Sequence, residues 1–267
     1  MLYPHNSIVC SITNQKGGVA KTTTAINLAA ALALMGKKTL LIDLDAQGNA
    51  STGSNAHSHT LSTTDLLLEN RPINECILQT NYKYDILPAN ATLTHAEVEL
   101  MKRDQREFVL QKQLSKLTQG YDFILIDCPP SLNILTINAL VASHHVLIPV
   151  QCEYFALEGV MQLLKTIESI KKTVNQNLNI LGLLRTMYDG RNRLAREVSE
   201  QLLLHFSSRV FNTIIPRNVR LAESPSHSKP VIQYDRRSQG AIAYIALAGE
   251  ISRQLCKSTT PQGETYQ

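Results

Sequence analysis

Short runs of Ile, Leu and Val punctuate the chain at 7–13 (SIVCSIT), 38–45 (KTLLIDLD), 121–130 (YDFILIDCPP), 144–150 (HHVLIPV) and 179–188 (NILGLLRTMY). Runs of this length and composition predict buried strands. Between them apolar positions recur at helical spacing, as in Ala25, Leu28, Ala29 and Leu32, or Leu157, Val160, Leu164 and Ile167. Strands alternating with helices predict an α/β fold of crossover units: a mainly parallel twisted sheet with helices on both faces and ligands beyond the carboxyl ends of the strands. Two later runs, 209–217 (RVFNTIIPR) and 230–235 (PVIQYD), are expected as further strands, followed by a helix over about 240–255.

No linker or internal repeat divides the chain, so one domain over 1–256 is expected, followed by a polar, disordered tail over 257–267 (KSTTPQGETYQ). At 267 residues such a domain buries a sizeable core. A hydrophobic fraction of 43% with 18% charged residues excludes disordered and collagen-like classes. Neither a signal core nor a run of about 20 apolar residues is present, and the expectation is a soluble cytoplasmic protein without a membrane partner. Cys10, Cys76, Cys128, Cys152 and Cys256 are scattered without a CxxC pair, which argues against a disulfide framework, a zinc site or a bridged iron–sulfur cluster. His57 and His59 fall in a Ser/Asn/Thr-rich stretch that reads as loop, and His144 and His145 open a strand.

The strongest chemical signal is NQKGGVAKTTT, 14–24, set between the first strand and an alanine-rich helix. Gly17 and Gly18 let the backbone turn its N–H groups inward, and the helix N-terminus adds the positive end of its dipole. Gly17, Gly18, Val19 and Ala20 with Thr23 then cradle the phosphates of ATP, Lys21 reaches the β- and γ-phosphates, and the Thr22 hydroxyl ligates Mg²⁺. The generic GxxxxGK[ST] pattern fails, because Gln15 and Ala20 stand where it requires glycine. The loop instead fits the deviant form KGGxxK[ST], whose extra lysine is Lys16. A plain strand–turn–helix junction would explain the glycines but not the acids that follow.

Those acids end two other strands. Asp43 and Asp45 share one pleat face of LIDLDAQGN, and Asp127 closes ILIDCPP after four apolar residues. Phosphoryl transfer needs an in-line water, a neutralising metal and cationic help for the leaving charge. The expected roles are Asp45 orienting or activating water, Asp43 and Asp127 supporting the metal shell, and Thr22 ligating the metal.

These segments, with LIPVQCEYFALEG at 147–159 and IPRNVRLAESPSHSKPVIQYD at 215–235, resemble the ParA/Soj family of partition ATPases, within the group that also holds MinD and the nitrogenase iron protein. Ala46 departs from the proline common in relatives. The resemblance implies an ATP-sandwich homodimer in which Lys16 acts on the partner's phosphates, slow ATP hydrolysis, and a ParB/Spo0J-like partner that stimulates it. It implies adenine contacts at Pro216 and Asn218, and non-specific double-stranded DNA contacts at Arg191 and Arg220 in a nucleoid-associated protein. From Arg185 to Arg237 ten basic residues face five acidic ones, an excess larger than the whole-chain charge of +4. The rival readings are a MinD-like membrane-associated positioning ATPase, a metabolic enzyme of the same fold, and an adaptor in which ATP is only structural.

Overall fold

The five apolar runs all become strands. β1 (Ile8–Ile12), β2 (Thr39–Asp43), β3 (Leu78–Gln79), β4 (Asp85–Leu87), β5 (Phe123–Asp127), β6 (His145–Gln151) and β7 (Asn179–Thr186) form one sheet in the order β3-β4-β2-β5-β1-β6-β7. Every neighbouring pair is parallel except β3 with β4. Sequence patterning misses β3 and β4 because two- and three-residue strands contain no apolar run to detect. The computed structural model describes residues 7–56 and 60–258; His57, His59 and the tail from 259 lie outside the described residues.

The helices are α1 (Lys21–Leu34), α2 (Asn49–Gly53), α3 (Thr63–Leu68), α4 (Ile73–Cys76), α5 (Leu93–Leu100), α6 (Val109–Leu114), α7 (Ile134–Ala142) and α8 (Ala156–Thr173). After β7 come α9 (Arg193–Phe206), α10 (Val219–Glu223), α11 (Val231–Tyr234) and α12 (Gln239–Ser258). Alternate strand residues feed opposite layers, as the two-residue period of a strand requires. Cys10, Ile12, Leu41 and Leu125 pack with α1 and α12, whereas Val9, Leu40, Ile42, Ile124 and Ile126 pack with α3, α5, α6 and α7. A third cluster seats α8 and α9 on Val146, Ile148, Val150 and Leu183. Among the described residues no helix is long and apolar enough to cross a membrane.

Two expected strands are corrected. The run at 209–217 touches β7 only through isolated bridges, Leu183 with Val210 and Tyr188 with Pro216. Its middle is diverted: the amides of Asn212 and Thr213 donate to Glu250, and the Arg185 guanidinium takes the carbonyls of Phe211 and Asn212, so no ladder can propagate. The run at 230–235 is a helical turn opened by Pro230. The Val231 amide donates to Asn27 Oδ1 at 2.7 Å, which docks that turn on α1 rather than on the sheet. The last helix runs beyond the expected 255 to Ser258.

β1 lies between β5 and β6, and the chain departs from it toward β2 on one side and later returns to β6 on the other. The loop after β1 therefore opens at the point where strand order reverses, the usual ligand crevice of an open α/β sheet. Its last residue, Ala20, is left-handed at φ 67°, ψ 35°. That conformation costs a residue with a Cβ about 1–2 kcal/mol, while glycine would cost about 0.4–1 kcal/mol through a looser unfolded chain. Ala20→Gly is therefore expected to stabilise the nucleotide-free protein by about 0.5–1 kcal/mol, raising Tm by about 1–4 °C in calorimetry. A lowered Tm would mean that the loop does not need this backbone geometry.

Candidate functional site

The loop is braced from below by side chains that are themselves buried. Asn14 donates to the Pro149 carbonyl at 2.8 Å and accepts the Lys16 amide at 3.0 Å, which ties the loop to the end of β6. Thr186, at the end of β7, donates to the Val19 carbonyl at 3.0 Å. Gly18 has φ +74°, which favours glycine, and a Cβ at either Gly17 or Gly18 would meet no protein atom within 4 Å. The space beside these two glycines is thus open.

Lys21 begins α1 and is only 7% exposed. Its ammonium donates to the Lys16 carbonyl at 3.2 Å. Burial lowers its pKa, and the nearby Asp127, Cys128 and Asp45 work against that fall. Thr22 and Thr23 follow, half-buried, and Thr24 is anchored to the Tyr244 hydroxyl on α12 at 3.1 Å.

Asp43 and Asp127 are register partners on β2 and β5, both with no exposed surface, yet their environments differ. Asp43 accepts from the Ser51 amide at 2.9 Å, the Ser51 hydroxyl at 2.7 Å and the Asp45 amide at 3.1 Å. Burial lifts its pKa to about 6 against these three hydrogen bonds. These contacts hold the Asp45 turn and the start of α2 beside Asp127. Asp127 has neither oxygen hydrogen-bonded to any described residue. Burial foremost, then the Asp43 charge, drives its pKa far upward, and the Thr22 hydroxyl and Lys21 beside it offset only part of that. Two orphaned carboxylate oxygens with a threonine hydroxyl beside them fit a hydrated divalent cation, as a buried polar group otherwise carries an uncompensated desolvation cost. Asp45 is half-buried at the end of β2 and accepts the Gln47 amide at 3.0 Å.

Beyond Ala20 and Thr23 opens a pocket of about 400 Å³ with Met187, Ile215, Pro216 and Tyr244 in its wall. Pro216 and Asn218 both line it, and Asn218 Oδ1 is buried without a hydrogen-bond partner among the described residues. The same two loops carry the candidate DNA residues, because the Arg217 amide donates to the Tyr188 carbonyl at 3.1 Å and so binds loop 188–192 to loop 216–220. Arg191 grips Asp189 with two donors, at 2.9 and 2.7 Å, and pulls that carboxyl down to about 2. Arg220 pairs with Glu223 at 2.9 Å and Asp235 at 3.4 Å. Arg185, counted among the basic residues of this region, is buried and braces the chain after α9.

Sequence reasoning overlooked Glu153, which ion-pairs with Lys16 at 2.6 Å. It also overlooked Ser51, Thr186 and Tyr244, whose partners come from distant strands and helices. Asn14 stood inside the loop motif itself.

The sequence matches the family model described as an AAA domain over residues 7–180. It is 50% identical over 258 residues to the "Chromosome partitioning protein ParA" of Myxococcus xanthus, covering 96% of this chain and 89% of that one. It is 48% identical over 247 residues to the "Sporulation initiation inhibitor protein Soj" of Bacillus subtilis, covering 91% and 98%. Among solved structures, cobyrinic acid a,c-diamide synthase from Mycobacterium smegmatis with bound ATP analogue and magnesium superposes with TM-score 0.83 at 35% identity, over 97% of this chain and 100% of that one. Identity to the partition proteins exceeds identity to that synthase, which weighs against a metabolic reading. An ATPase site for ATP and Mg²⁺ on this sheet, in a chain so similar to ParA and Soj, places the protein in the ParA/Soj family of partitioning ATPases.

Proposed function

We propose that ATP and Mg²⁺ join two copies of this chain into a dimer that binds double-stranded DNA without sequence preference, and that hydrolysis, stimulated by a ParB-like partner, releases it. The observation that supports this most is the shared construction of the base pocket and the arginines. Met187 and residues 215–219 line the pocket, and the chain running on from them carries Arg191 in one loop and Arg220 on α10, so a nucleotide seated there orders the surface that meets phosphate. The lip beside Lys16 supports the dimer. Tyr154 and Phe155 stand 76% and 65% exposed there, stacked edge to face at 5.0 Å, an apolar pair suited to burial against a second copy.

In the hydrolytic step the loop amides and Lys21 hold the phosphates, and Asp45, steered by the Gln47 amide, orients the water. Thr22, Asp127 and Asp43 would hold the magnesium shell, and Asp43 also braces the Asp45 turn. The cation would supply neutralisation of the phosphate charge. Lys16 of each copy acts on the other's phosphates.

Duplex binding at fixed salt with ATP and with ADP tests the switch, and equal affinities would remove it. Asp127→Asn keeps shape while deleting a buried charge. Burial and the Asp43 charge make the folded protein hold the Asp127 proton more tightly than the unfolded chain, so above the ordinary carboxyl range this group opposes folding. The variant should lose multiple-turnover hydrolysis yet gain about 1–3 kcal/mol of stability without metal, seen as a Tm rise of several degrees; an unchanged hydrolysis rate would exclude Asp127 from the metal shell.

Asn218 lines the pocket, and its side-chain amide, turned toward a bound base, offers an acceptor that an adenine amino group can use and a guanine carbonyl cannot. Asn218→Ala is expected to weaken ATP binding about 2- to 10-fold and to erase most of the preference for ATP over GTP. Retained discrimination in calorimetric titrations would move the base elsewhere.

Asp189→Asn keeps Oδ1 as the acceptor for the Arg191 amide and Nε but removes the charge and the Oδ2 contact, which loosens the guanidinium. Duplex affinity should rise and the slope of log K against log salt should steepen by about 0.9 per phosphate gained per protomer. An unaltered slope would clear Arg191 of DNA contact.

A further inference from the structure

The dimer reading requires Lys16 to serve the opposite copy, yet in the single chain its ammonium sits 2.6 Å from Glu153 Oε2. One side chain cannot do both. The surroundings show which part is free to change. The Lys16 backbone is fixed on both sides, its amide donating to Asn14 Oδ1 at 3.0 Å and its carbonyl accepting from Lys21 Nζ at 3.2 Å. Glu153 is aimed from the other direction. It follows the end of β6, its amide donates to the Gln151 carbonyl at 2.9 Å, and its Oε1 accepts the Gln151 side-chain amide. Asn14 also bonds the β6 carbonyl of Pro149, so loop and strand end form one frame across which only the two charged side chains span.

We propose that Glu153 is a positioning residue that holds Lys16 back on its own chain, and that formation of the ATP-bound dimer requires this ion pair to open. The proposal rests on the dimer reading above. Its strength follows from exposure. With side chains 39% and 47% exposed, the pair is solvated and screened, and such pairs bias a side chain's position by only about 1.5- to 5-fold. That is weak enough for a partner's phosphates to draw Lys16 away. Each dimer opens two such pairs, so the bias against premature pairing multiplies to about 2- to 25-fold.

The test uses the full chain with two readouts. In the nucleotide-free monomer, acylation of lysine amines by a limiting N-hydroxysuccinimide ester, mapped by mass spectrometry, reports whether Lys16 is engaged; the exposed Lys38 serves as internal standard. Sedimentation with a non-hydrolysed ATP analogue and Mg²⁺ reports the concentration at which dimers form. Glu153→Gln should acylate at Lys16 about 1.5- to 5-fold faster relative to Lys38 and should dimerise at a 2- to 25-fold lower concentration. Glu153→Asp, which keeps the charge on a shorter arm, should return both readouts toward the wild type. Unchanged Lys16 acylation in Glu153→Gln overturns the latch, as does dimerisation that is equal to or weaker than wild type. A wild-type chain that stays monomeric with the analogue bound overturns the dimer reading, and the latch's role with it.

Discussion

A buried carboxylate that its neighbours offset only in part is the constraint on which this molecule turns. Asp127 brings two oxygens to the carboxyl end of β5 where no described residue hydrogen-bonds them, and the cost is not relieved by the neighbouring Asp43, whose own charge adds to it. A chain selected for stability alone would place an apolar residue or an amide there. The sheet bears this cost because β5 sits between β2 and β1, so Asp127 lies beside Asp43 and below the loop that ends in Lys21. Lys21, itself nearly buried, is drawn into the same unresolved electrostatic balance. The apo site is incomplete by construction, and a nucleotide with its cation supplies the missing charges.

Much of this was legible in the sequence because the residues concerned are consecutive or end an apolar run. Lys16, Gly17, Gly18, Lys21 and Thr22 fall within seven consecutive residues, and Asp43 and Asp127 close runs of three and four apolar residues. Strands β1, β2, β5, β6 and β7 were visible for the same reason. What escaped is non-local. The run at 209–217 has strand composition, but Glu250 and Arg185, distant in sequence, take up the groups a ladder would need. The hold that Ser51, eight residues on, has on Asp43 is likewise invisible in the run that Asp43 ends. Glu153 sits inside a segment quoted for the resemblance, but only the fold brings it to Lys16.

The left-handed Ala20 shows the same division at the scale of one residue. The motif records a departure from glycine, whereas its consequence depends on a backbone angle that the sequence does not state. Gly18, two residues earlier, takes a similar angle with the residue suited to it. The loop therefore stores strain at the position where the chain passes into α1, and the contacts of Thr24 with Tyr244 and of Asn27 with Val231 hold that helix in place against it.

A pattern in how the charged groups are held then separates fixed parts from moving ones. Asp43 and Arg185 are buried and hydrogen-bonded from several sides, so moving either would strand polar groups away from water at a cost of several kcal/mol. Lys16, Arg191 and Arg220, the cations assigned to a partner copy or to DNA, are each held by an exposed ion pair instead. Pairs of that kind contribute about 0–1 kcal/mol and exchange readily for other anions. In the proposed cycle phosphate, from a nucleotide in one case and from DNA in the other, would compete with a carboxylate on nearly even terms. A switch that must reverse at every turnover is better served by such pairs than by buried ones, because the same small free energy that delays closure also permits release.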